Sequence, residues 1–224
     1  MKSTLTTINL GLAAKEFCEA EKSVYRTELY GITDGKAIGT FVEHLFKQYL
    51  AERYTFEEGN SANGIDLPSI NTDIKVTSSD HPQSSCPFKD FKQKIYGLGY
   101  NLLLFIYEKI DDNKSKKGRL NFLSCIFIDE SRTADFQTTT EIRRIIENDG
   151  NSDDIFAFLV DHHFPSDEDT LLVTAEEILN NPPQIGYLTI SNALQWRLQY
   201  SRVVSLEKRV DGITSIIKYD GGQR

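Results

Sequence analysis

Residues 64–77 read Gly64-Ile65-Asp66-Leu67-Pro68-Ser69-Ile70-Asn71-Thr72-Asp73-Ile74-Lys75-Val76-Thr77. Pro68, Ser69 and Asn71 are turn formers, so two short strands around a turn are predicted here. Thr72 to Thr77 alternates as a strand does. Ile74 and Val76 share one face, and Asp73, Lys75 and Thr77 share the other. A half-buried strand ordinarily gives that second face to solvent. Here it carries an acid and a base two residues apart, with a second acid, Asp66, just across the turn. Two carboxylates can share a divalent cation, and a lysine can reach an anion held by that cation. Metal-assisted phosphate hydrolysis needs these groups. An exposed hairpin with ordinary surface charges would give the same pattern, so the flanking chain has to decide.

Before this stretch, Ile32-Thr33-Asp34-Gly35 is a break, and a helix is predicted from 36 to about 53. Ile38, Phe41, Val42, Leu45, Phe46 and Tyr49 form its apolar stripe. Glu43 lies at the stripe's edge, and Gly39 would admit a close-packed backbone. An earlier amphipathic helix is predicted over about 8–30, for packing or dimerisation. After the stretch, Ser78 to Phe88 reads as a loop, and Lys89 to Gly99 as a short helix ending near Gly97 or Gly99. Asn101 to Lys109 and Leu120 to Ile128 are apolar runs that suit strands buried on both faces, joined by the charged loop 111–118. This order is that of an α/β fold: a mixed central β-sheet flanked by helices.

Placed in this order, the stretch resembles the PD-(D/E)XK nuclease core of many type II restriction endonucleases, in which an Asp precedes a D/E-x-K triplet on the next strand. Asp66 matches the first Asp and Asp73-Ile74-Lys75 the triplet. Ile65 stands where the family usually has proline, Pro68 comes two residues after Asp66, and six residues separate the acids. The resemblance covers roughly residues 36–128. It implies a Mg²⁺-dependent, site-specific endodeoxyribonuclease that leaves 5′-phosphate and 3′-hydroxyl ends in double-stranded DNA. Asp66 and Asp73 would bind the metal, with the Ile74 carbonyl and the Glu43 carboxylate completing its protein ligands. Lys75 would orient the attacking water or neutralise a phosphate oxygen. For Glu43 a second reading stands, a solvated glutamate on a stripe edge. Lys89, Lys92, Gln93 and Lys94 are candidates for DNA contact, or else a solvated basic face. A palindromic target would favour a homodimer.

Beyond about residue 130 the pattern turns mainly helical. Thr139 to Asn148 reads as a helix capped by Thr138 or Thr139, and Asp154 to His162 as another. His162 and His163 are adjacent on a helix and do not face each other, so they make no metal pair. Ser166 to Asp169 reads as an acidic surface turn. Thr174-Ala175-Glu176-Glu177 looks like a capping box. Ser191 is predicted to cap a helix running to about Val210, basic and aromatic through Trp196, Arg197, Tyr200 and Arg202. Arg197 and Arg202 would then reach DNA, unless this is an ordinary C-terminal helix. Gly212 to Tyr219 is read as a last strand. One domain over 1–224 is expected, with residues 129–224 serving DNA recognition, dimerisation or both.

A length of 224 residues fits one large domain or two small ones. The net charge of −8 counts mildly against a nucleic-acid partner, though a local basic groove can sit on an acidic body. Cys18, Cys86 and Cys125 are odd in number and far apart, which suits reduced thiols. The longest strongly apolar run, Leu102 to Tyr107, is too short for a bilayer, and the first residues lack a signal-peptide pattern. No membrane partner and a cytoplasmic location are expected. Two other functions remain open from sequence: a structure-selective repair or recombination nuclease, and a non-catalytic DNA-binding protein on the same fold.

Overall fold

The computed structural model describes residues 2–59, 64–86, 89–191 and 197–218. In chain order the elements are β1 (Ser3–Thr4), α1 (Thr7–Glu21), α2 (Gly35–Arg53), β2 (Tyr54–Thr55), β3 (Thr72–Ser78), β4 (Gln83–Ser85), α3 (Gln93–Tyr96), β5 (Asn101–Asp112) and β6 (Lys117–Ile128). There follow α4 (Phe136–Glu147), α5 (Ser152–Asp161), α6 (Glu168–Asn180), β7 (Thr189–Ser191), β8 (Arg197–Gln199), α7 (Ser201–Val204) and β9 (Ile213–Ile217). The chain divides into two compact units. The first takes Met1–Ser84, Tyr100–Asp129 and Val203–Arg224, and the second Ser85–Gly99 and Glu130–Arg202.

The first unit is built on a mixed sheet with strand order β3-β5-β6-β9. β3 runs parallel to β5, with Asp73 opposite Leu102 and Lys75 opposite Leu104, while β6 is antiparallel to both β5 and β9. Helices α1 and α2 cover one face. Phe17, Phe46, Phe105 and Phe122 meet there, with Phe17 to Phe46 centroids 5.0 Å apart and Phe46 to Phe105 5.1 Å apart. Tilted and edge-on ring pairs of this kind add to the area they bury. Ile74 faces the same cluster. Leu102, Leu104 and Ile106, on the other face of β5, are buried as well. The expected α/β sheet flanked by helices is therefore present, and the predicted strands at 101 and 120 are its long central pair.

α2 begins where the sequence breaks, with Asp34 accepting a hydrogen bond from Lys36 N–H. Ile38, Val42, Phe46 and Leu50 then bury one stripe. A Cβ placed on Gly39 would lie 3.8 Å from the Val76 carbonyl, which is ordinary contact, so the approach of α2 to β3 does not demand glycine. α1 is shorter than the predicted 8–30. It stops at Glu21 because the chain then pairs with the tip of the β5–β6 hairpin, where Arg26 and Gly118 exchange backbone hydrogen bonds. The charged loop 111–118 shrinks to a tight turn, since the strands run on to Asp112 and restart at Lys117. Asp112 holds that turn by accepting from Lys114 N–H and Ser115 Oγ–H. Only the second half of the 64–77 stretch is a strand. The first half is a 3₁₀ turn over Pro68–Ile70, closed by the left-handed Asn71 at φ 47°.

In the second unit α4, α5 and α6 enclose Ile142, Ile155, Leu159, Leu171 and Ile178, together with Phe91 and Ile95. The helix predicted over 89–99 is reduced to α3, which ends at Gly97 with φ 96°. No side chain fits at Gly97, where a Cβ would lie 2.8 Å from the Glu130 carbonyl. α4 starts three residues earlier than predicted, and its cap is Asp135 rather than Thr138 or Thr139. Asp135 is buried and accepts from Thr138 N–H and Ile190 N–H, both at 2.8 Å. The acidic stretch at 166–169 opens α6 instead of forming a surface turn: Asp167 caps it, and carboxylates favour a helix N-terminus. Over the described residues from 197 on, the long helix predicted from Ser191 is replaced by β8 and the short α7. β7 and β8 pair antiparallel, Thr189 with Gln199 and Ser191 with Arg197. The period is two there, with Leu198 and Tyr200 buried and Arg197 and Gln199 exposed. Trp196 lies outside the described residues.

Candidate active site

In the first unit a short turn, an edge strand and a helix bring five charged side chains together. Among the described residues β3 is an edge strand, with β5 on one side of its backbone and no strand on the other. Asp66 Oδ2 accepts the Ile74 N–H at 2.9 Å. The turn holds Asp66 in place from both sides. The next residue, Leu67, is fully buried and exchanges backbone hydrogen bonds with Thr72. On the other side Gly59 N–H donates to the Asp66 carbonyl at 2.9 Å. A Cβ on Gly59 would fall 1.7 Å from the Ile65 carbonyl oxygen, so this backbone approach requires glycine.

Asp73 and Lys75 sit two residues apart on β3, and the Lys75 ammonium is 2.6 Å from Asp73 Oδ2. Burial pushes the Asp73 carboxyl up to about 6, against the pull of Lys75 and with help from the hydrogen bond it shares with Asp66. Burial acts the same way on Asp66, but hydrogen bonds from Asp73, Lys47 and the Ile74 N–H outweigh it. The Asp66 carboxyl therefore lies below its ordinary range. Like charge and burial thus push the two carboxyls apart: Asp66 is the more acidic, and Asp73 is the first of the pair to take up a proton as pH falls.

Glu43 and Lys47 reach this pair from α2. Lys47 Nζ lies 2.5 Å from Asp66 Oδ1 and 2.8 Å from Glu43 Oε1. Burial alone would lower the Lys47 pKa, yet its hydrogen bonds to Asp66 and Glu43 raise it. Glu43 is pushed up by burial, with Lys47 opposing. Among the described residues no group of three or more His, Cys, Asp or Glu side chains is arranged to hold a metal ion. The donor chemistry still fits a hard divalent cation. Such an ion commonly takes one or two carboxylates and fills its remaining positions with water and substrate phosphate. The repulsion between the Asp66 and Asp73 carboxylates is what a cation there would relieve.

Glu43, Asp66, Asp73, Ile74 and Lys75 all fall in the first unit. Lys89, Lys92, Gln93, Lys94, Arg197 and Arg202 all fall in the second. Lys89 and Arg197 are exposed. Lys92 pairs with Glu177 at 2.5 Å. Gln93 is buried: its Oε1 accepts the Lys89 N–H, and its amide donates to the Leu98 carbonyl. Lys94 is half-buried 5.5 Å from the Phe164 ring centroid, and burial lowers its pKa. Arg202 stacks over Phe136 at 3.6 Å. His162 turns its Nδ1 to the Phe158 carbonyl of its own helix.

The sequence reading missed Lys47 and Gly59. The Glu43-x-x-x-Lys47 spacing was visible and places the two on one helix face. The tie from Lys47 to Asp66 joins separate elements and leaves no local mark.

A family model described as type II restriction enzyme NspV matches residues 4–215. A curated relative, the type II restriction enzyme NspV of Nostoc sp., is 51% identical over 216 residues, covering 96% of this chain and 98% of the relative. No solved structure gives a significant match. The match extends past the sheet and the charged cluster through nearly the whole chain, and on that basis the chain belongs to the NspV family of type II restriction enzymes.

Proposed function

We propose that this restriction endonuclease hydrolyses double-stranded DNA with Mg²⁺ at the Asp66–Asp73–Lys75 cluster, as a member of the PD-(D/E)XK superfamily. The observation that carries the reading is a pair of carboxylates, the buried Asp73 and the partly buried Asp66, held beside a lysine on β3. Asp66 and Asp73 would hold the cation, with the Ile74 carbonyl as a further ligand and Glu43 behind Lys47. The cation would supply Lewis-acid stabilisation of the charge that develops on the phosphate. Lys75 donates a hydrogen bond to the attacking water or to a non-bridging phosphate oxygen, and its contact with Asp73 fixes its direction. Asp66 holds the edge of β3 through the Ile74 N–H, which keeps the two carboxylates and Lys75 in one geometry. In-line displacement then leaves 3′-hydroxyl and 5′-phosphate ends. A palindromic target would match a homodimer of two-fold symmetry. Lys89, Lys92, Lys94, Arg197 and Arg202 are proposed to meet the DNA. For Lys92 this means exchanging Glu177 for a phosphate, and Gln93 acts only through the loop it braces.

Family membership and the intact cluster favour this reading over a repair nuclease or a non-catalytic binder. The test is single-turnover cleavage by Asp66→Asn and Lys75→Ala with Mg²⁺. Each variant is expected to lose about a thousandfold or more in rate while its thermal unfolding stays cooperative. Wild-type rates in either variant would move the active site elsewhere.

A further inference from the structure

Both oxygens of Asp66 are engaged before any cation arrives. Oδ2 takes the Ile74 N–H at 2.9 Å, and Oδ1 takes the Lys47 ammonium at 2.5 Å. The first contact is fixed by the backbone of β3. The second comes from a lysine on a flexible four-carbon stem. Lys47 also has somewhere to go, because Glu43 Oε1 lies 2.8 Å from the same Nζ, one turn earlier on α2. Only about 15% of the Lys47 side chain and 16% of the Asp66 side chain is exposed, so solvent screens this contact less than it would a surface pair.

We infer that Lys47 is a positioning residue: a built-in cation that holds Asp66 ready in the metal-free enzyme and yields Asp66 Oδ1 to the divalent ion by withdrawing onto Glu43. This rests on the proposed role of Asp66 as a metal-holding residue. A positive group so close to the site opposes a second cation, so Lys47 sets the metal concentration the enzyme needs. Glu43 then contributes by receiving the ammonium, which gives a helix glutamate a part to play without direct coordination.

The experiment is calorimetric titration of the DNA-free enzyme with Ca²⁺, for wild type, Lys47→Met, Lys47→Gln, Lys47→Arg and Asp66→Asn. Lys47→Met is expected to bind Ca²⁺ about tenfold more tightly or better, and to reach half-maximal cleavage at correspondingly lower Mg²⁺. Lys47→Arg keeps the charge and is expected to stay near wild type. Lys47→Gln repeats the test should the methionine variant fail to fold. Ca²⁺ affinity equal to or weaker than wild type in the neutral variants would overturn the inference. Asp66→Asn separates the two levels. If it loses Ca²⁺ binding while the neutral Lys47 variants do not tighten, only the role of Lys47 fails. If it binds as wild type does, the metal site itself is misplaced.

Discussion

Asp73 is 4% exposed, yet it is an acid on the sheet edge that faces the charged cluster. Its carboxyl is raised from 3.8 to about 6, so the folded chain holds this proton more tightly than the unfolded chain does. The stability from that proton is complete below about pH 4 and is lost as pH rises to about 6, amounting to about 3 kcal/mol at most. Without metal, Asp73→Asn should therefore narrow the stability difference between pH 4 and pH 7, which denaturant titrations at the two pH values would measure. An unchanged difference would place the titrating group elsewhere. Asp66, Asp73 and Lys75 were legible in the sequence because strand alternation and one turn bring them together. Lys47 was not, because its partner Asp66 lies 19 residues away on a different element. Gln93 was legible as a polar helix residue, but the tight end of α3 at Gly97 turns it inward.

The elements that carry the site were the most legible ones. The stripe of α2 and the apolar run of β5 are long and periodic, and both appear within a few residues of their predicted limits. The misreadings fall where tertiary contacts override local pattern. The end of α1 is set by pairing with the hairpin at Gly118, and the segment from Arg197 by pairing with β7. Gly59 belongs to the same class, since only the folded backbone shows that a Cβ would collide with Ile65. Gly59→Ala should shift Asp66 and cut the cleavage rate by about tenfold or more, with less than about 2 kcal/mol lost in stability. Cleavage at the wild-type rate would show that Asp66 does not depend on this approach. In the second unit, Asp135→Ala removes the cap of α4 and leaves the Ile190 N–H unpaired. A loss of about 2–4 kcal/mol is expected, read from the denaturant midpoint. A loss below about 0.5 kcal/mol would contradict the role given to Asp135.

At the scale of the molecule, the chain crosses between its two units after Ser84, Gly99, Asp129 and Arg202. Four crossings make it hard for either unit to unfold while the other keeps its segments in place. One calorimetric transition is expected, and two resolved transitions would show that the units fold independently. The acidic balance of −8 belongs to the whole chain, and it told little about partners because the carboxylates at the centre of this site are themselves part of that charge. No helix among the described residues is long and apolar enough to cross a membrane. The most direct measurement is digestion of a long duplex of known sequence, with Mg²⁺ and with chelator, beside Asp73→Ala. Discrete fragments that need Mg²⁺ and vanish in the variant are expected. Discrete fragments that persist in Asp73→Ala, or that form in chelator, would contradict the assignment of the active site to these residues.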